Sequence, residues 1–124
     1  MKAVLCKEFG PPDRLVIEDV PSAEPGEGQV AIAVKACGVN FPDALIIQNK
    51  YQFKPPLPFS PGGEIAGVIS RVGPGVSGRS VGDAVIALTT WGGLAEEVVV
   101  DTSRLLAKPD AMSFVTAAAF TMTY

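Results

Sequence analysis

Histidine is absent from all 124 residues. That removes the commonest general base near neutral pH and the commonest zinc ligand together, so any chemistry here proceeds without either. Cysteine is scarce. Cys6 and Cys37 stand in no metal-ligand spacing and are expected as buried free thiols in strands, in a reducing compartment, with a disulfide between them as the alternative. No basic run is long enough to follow phosphates, and ten basic against thirteen acidic residues leave a net charge of −3, which argues against a nucleic-acid partner. No stretch approaches the roughly 20 apolar residues that span a bilayer, and the apolar run in MKAVLCKEFG is too short for a secretory signal. A cytoplasmic protein without a membrane partner is therefore expected.

What the chain does have is punctuation. Thirteen glycines and eleven prolines break a sequence that is 48% hydrophobic, which suits short strands joined by turns within one domain. Lys2 to Cys6 reads as a strand, followed by a hairpin around Gly10-Pro11-Pro12 into Arg14–Val20, where Leu15 and Ile17 alternate with Val16 and Glu18. QVAIAVKACG from Gln29 is the clearest strand, with Val30, Ile32, Val34 and Ala36 on one face at period two. GEIAGVISRVG, DAVIAL and LAEEVVVD continue the series, and RLLAK adds a short last strand, giving about seven strands and a barrel or sandwich. The character changes near Ser113, where SFVTAAAF predicts a capped helix. Gly73-Pro74-Gly75-Val76-Ser77-Gly78 matches G-x-G-x-x-G, but a turn and a strand follow it instead of the helix that a dinucleotide fingerprint needs, so it reads as a turn.

Most candidates for chemistry lie between Gly38 and Gly67. Asn40 can cap a helix, Pro42 fits its first turn, and Asp43 favours its positive end, which predicts a short helix from Phe41 to about Gln48. KYQFKPPLPFSP then holds the chain extended before GGEIAGVI begins a strand.

With VKACGVNFPD, PGGEIAGVI, VGPGVSG, VGDAVIAL and GGLAEEVVV in this order, essentially the whole chain resembles the N-terminal catalytic domain of the medium-chain dehydrogenase/reductase superfamily. The resemblance implies a mainly β, GroES-like, partly open β-barrel with short helices over residues 1–112. It makes 113–124 the start of a helix leading towards a Rossmann domain that these residues do not include. Zinc alcohol dehydrogenases of the superfamily carry a cysteine where this chain has Asn40 and a histidine where it has Gly63, and they carry a four-cysteine zinc loop that is missing here. The retained G-V-N-F-x-D pattern resembles the zinc-free quinone oxidoreductase branch, so no metal site is expected.

That branch implies NADPH as hydride donor and a quinone or an α,β-unsaturated carbonyl as substrate. It also implies a homo-oligomeric complete enzyme, of which these residues alone would be inactive. Asn40 is expected to meet the nicotinamide or a substrate carbonyl as well as cap its helix, and Tyr51 either stacks on the substrate or packs on Pro55 and Pro56. Asp43 is a helix-start acid that the family places beside the pocket, and Leu45 replaces a second tyrosine of the branch, making the pocket greasier. Glu64 reads as a structural partner and Trp91 as filling a core gap under its glycine turn. Two alternatives remain, an enoyl-thioester reductase of the same superfamily and a non-catalytic GroES-like binding or assembly module.

Overall fold

In the computed structural model, which describes residues 1–123, the alternating segments pair into two antiparallel sheets. β1 (Lys2–Leu5) and β2 (Val16–Asp19) form the smaller one, joined through a 3-10 turn at Pro12–Arg14. β3 (Gln29–Gly38), β4 (Glu64–Val72), β5 (Ala84–Leu88), β6 (Glu97–Asp101) and β7 (Leu105–Ala107) form the larger one, in the order β6-β3-β4-β5-β7. Isolated bridges Ala3 to Ala95 and Cys6 to Phe59 hold the small sheet against the rest, with Val4 N–H donating to the Leu94 carbonyl at 2.8 Å. The fold is thus mainly β with two short helices, and its sheets do not close.

Strand alternation gives the large sheet two apolar faces. Val30, Ile32, Ile65, Ile69, Val85 and Val100 pack on one, and each such side chain taken from water stabilises the fold by about 1.5–3 kcal/mol. On the other, α2 (Phe114–Thr123) sets Ala117 and Ala118 against Ala66 and Ile86. Ser113 starts this helix as expected, its Oγ accepting from the Thr116 N–H at 3.1 Å. A third cluster, Cys6, Ile46, Ile47 and Phe59, lies beneath α1 (Phe41–Ile46). No helix among the described residues is long and apolar enough to cross a membrane.

Four expectations need correcting. β3 does not keep period two to its end, because a register shift between Val34 and Ala36 sends Ala36 to the α2 face and leaves Cys37 against the main core. β2 is exposed along its length, with Ile17 71% accessible, because the small sheet has nothing packed over that side among the described residues. α1 stops at Ile46, two residues early, and Asn49 takes a φ of 60°, which a helix cannot continue. Trp91 is not core filling but surface, 36% accessible. Both cysteines are free, and no helix begins within the glycine-rich turn, which carries the chain from β4 to β5.

The β3–β4 pair packs most closely at Gly67, where an added Cβ would lie 2.2 Å from the Ala33 carbonyl oxygen and 2.8 Å from Ile32 Cγ2. Backbone cannot yield there without parting the two central strands. Gly67→Ala is therefore expected to lower unfolding free energy by about 1–3 kcal/mol or more, read as a lower urea midpoint. An unchanged midpoint would show that the strands separate at no cost.

Candidate functional site

The start of α1, the extended segment after it and the loop between β5 and β6 converge on a cavity of about 180 Å³. Pro42, Asp43, Tyr51, Gly63, Leu88 and Thr90 line it, with Phe53 and Arg104 at its edge. The sequence makes this meeting place through short-range effects: Pro42 within the first turn of α1, prolines that keep residues 54–58 out of any ladder, and two glycines that let the backbone pass closely.

Asp43 is the buried anchor, 8% accessible. Its Oδ2 accepts the Asn40 N–H at 2.7 Å, the return half of a capping box, and its carboxylate also accepts from the backbone of Gly62 and Gly63. Burial pushes the Asp43 carboxyl above its ordinary value, and the nearby Glu64 charge adds to this, while those backbone donors oppose it without cancelling it. Asn40 donates through Nδ2 to Glu64 Oε1 at 3.0 Å, so the amide is held at the helix start by a carboxylate with no exposed surface. Burial, and then the charges of Asp43 and Glu64, push the Cys37 thiol up to about 11, so it is protonated at neutral pH.

Of the residues expected from sequence, Asp43 and Tyr51 line the cavity, whereas Asn40, bonded to Asp43, and Leu45 are half-buried and not in its lining. Tyr51 has other neighbours than the expected prolines. It packs against the Cys6–Ile46–Ile47–Phe59 cluster and meets the Phe53 ring at a centroid separation of 5.8 Å. Sequence inspection missed Phe53, Thr90 and Arg104. Phe53 carries no pattern that would show it, because the chain bends at Tyr51 and Gln52 to bring the two rings together. Nor does Thr90: its φ of 68° is rare for a β-branched residue, and nothing in Leu-Thr-Thr-Trp announces it. Gly63 explains part of that loop's course, because a Cβ there would stand 3.0 Å from the Thr90 carbonyl oxygen.

The alcohol dehydrogenase GroES-like domain family matches residues 26–110, and the chain belongs to that family. Its relatives place it in the medium-chain dehydrogenase/reductase superfamily, among quinone oxidoreductase-like and VAT-1 proteins. A quinone oxidoreductase-like protein 2 homolog of Nematostella vectensis is 46% identical over 125 residues, covering 99% of this chain and 34% of that protein. The structure of a human synaptic vesicle membrane protein VAT-1 homolog-like protein superposes with a TM-score of 0.94 at 37% identity, covering 98% of this chain and 39% of that one. Escherichia coli quinone oxidoreductase complexed with NADPH superposes with a TM-score of 0.91 at 30% identity, covering 97% and 37% respectively. The chain thus spans about a third of the length of the curated relatives it matches, 34% and 31% in two of them.

The raised Asp43 carboxyl has a pH signature. A folded value above the ordinary 3.8 means that the fold prefers the neutral acid. The associated stability is complete below 3.8 and is lost as pH rises through the raised folded value. Asp43→Asn cannot ionise, so its unfolding free energy relative to the parent should increase across that interval, whatever constant offset the substitution brings. A difference that stays flat with pH in urea titrations would show that Asp43 is not shifted upward.

Proposed function

We propose that this chain is the substrate-side domain of an oxidoreductase that uses NADPH to reduce quinones or α,β-unsaturated carbonyls without zinc. The supporting observation is the donor set at the cavity. The two positions that would hold thiolate and imidazole in a zinc enzyme are Asn40, an amide bound to Glu64, and Gly63, where a side chain would press on the Thr90 carbonyl. Cys37 is a protonated thiol, and among the described residues no group of three or more cysteine, aspartate or glutamate side chains is arranged to hold a metal ion. These residues do not fit zinc. Without a Lewis acid, oxidising an alcohol is difficult, whereas reducing an electron-poor quinone needs chiefly orientation and a few hydrogen bonds.

The cavity fits the substrate ring and not the cofactor. At about 180 Å³ it is smaller than the roughly 300–1,000 Å³ of ordinary ligand pockets, enough for a flat ring but not for a dinucleotide. NADPH, when bound, would supply a hydride to the electron-poor carbon. Tyr51 offers a ring face for stacking and a phenolic O–H for the substrate oxygen, which becomes a better acceptor as reduction proceeds. Asn40 would orient a carbonyl or carboxamide with the amide N–H that Glu64 does not take. Leu45, beside the site, and Leu88, in the cavity wall, keep the surroundings apolar, which excludes water from the reacting carbon.

The complete protein, assayed for NADPH oxidation, should turn over benzoquinone and naphthoquinone in the presence of a metal chelator, and do so faster than crotonyl thioester. Tyr51→Ala should lower kcat/KM for quinone by about tenfold through lost stacking and hydrogen bonding, with Tyr51→Phe recovering part of it. Faster turnover of the thioester would establish an enoyl reductase instead. No turnover of any of them would leave a binding module.

A further inference from the structure

A larger cavity lies beside the small one. A second cavity, of about 380 Å³, shares Phe53, Thr90 and Arg104 with the first and continues past Trp91 towards Val99 and Asp101. Its rim carries two aromatic side chains that the fold leaves uncovered, Phe53 at 49% and Trp91 at 36% accessible. Arg104 stands at the junction. Its Nη1 donates to the Leu88 carbonyl at 3.2 Å, and among the described residues no carboxylate pairs with it. Asp101, one 3-10 turn before Arg104, also lines this cavity and accepts from Gln29 Nε2 at 3.4 Å.

We propose that Phe53, Trp91 and Arg104 form an outer subsite that selects polycyclic aromatic carbonyl substrates bearing an anionic substituent. This rests on the reductase function proposed above and specifies its substrate class. The inner cavity takes the ring that is reduced, and the fused distal ring extends between Phe53 and Trp91, whose flat faces suit an electron-poor aromatic. A carboxylate or sulfonate on that distal ring meets the Arg104 guanidinium, whose planar donor fork matches either oxyanion. Thr90, held in a left-handed conformation where the two cavities join, sets the angle between them.

The test is calorimetric binding to the complete protein with no NADPH present, using 1,4-naphthoquinone-6-carboxylate, its neutral carboxamide of nearly equal shape, and one-ring benzoquinone. The parent should bind the carboxylate about three- to tenfold more tightly than the carboxamide, and the preference should shrink with added salt. Arg104→Gln should make the two equal, and Arg104→Lys should keep part of the difference. Trp91→Ala should weaken both naphthoquinones alike and leave benzoquinone unchanged. A preference that survives Arg104→Gln, or a Trp91→Ala variant that binds naphthoquinones like the parent, would overturn the subsite even if benzoquinone is reduced. Selective binding without turnover of any quinone would uphold the subsite and overturn the reductase function.

Discussion

The site depends on one buried carboxylate. Asp43 ties the first turn of α1 to the Gly62–Gly63 turn by accepting backbone N–H groups from Asn40, Gly62 and Gly63. That glycine turn is a hub. The Gly62 carbonyl accepts from Gly93 N–H at 2.8 Å and Thr89 Oγ1 at 3.2 Å, and the Gly63 carbonyl accepts from Thr89 N–H at 2.7 Å. Helix, strand start and the β5–β6 loop are thereby fixed relative to one another. Desolvation and the Glu64 charge together raise the Asp43 carboxyl by more than its donors lower it, so this arrangement costs stability at neutral pH. Placing three loops at a cavity is what that cost secures.

The register shift near the end of β3 acts on the same region. A strict period of two would carry Cys37 away from the main core and Ala36 into it. The shift after Val34 reverses them, putting an alanine where α2 must approach and a thiol beside the glycine turn. An added Cβ on Gly62 would stand 2.7 Å from Cys37 Sγ, and one on Gly93 would stand 3.0 Å from it, so the sulfur fills the space that these two glycines leave. Burial beside two acids keeps that thiol neutral, and it behaves as packing.

Such long-range effects separate what could be read in the sequence from what could not. The strands at Gln29, Glu64, Ala84 and Glu97 and the cap at Ser113 are local patterns, and each formed close to its expected bounds. So did the start of α1, because Asn40, Pro42 and Asp43 act within one turn. Ile17 and Trp91 were misjudged, since whether an apolar side chain is covered depends on what packs over it and not on its neighbours in sequence. Arg104 escaped notice because it precedes an ordinary apolar strand. Only the fold brings it to Thr90 and Phe53, residues distant in sequence that carry no pattern linking them.

Charge limits what the two joined cavities can hold. Arg104 is the only basic side chain among their lining residues, against Asp43 and Asp101. A pyrophosphate needs several N–H donors or cations converging on it, usually a helix N-terminus behind a glycine-rich loop. The six-residue glycine motif offers no helix here, and Gly73 is packed against backbone, with an added Cβ falling 2.1 Å from the Gly26 carbonyl oxygen. Aromatic faces, an amide and a single guanidinium suit a flat ring with one anionic group far better than two phosphates. The chemistry of the lining thus favours a flat aromatic ligand over the charged part of a dinucleotide.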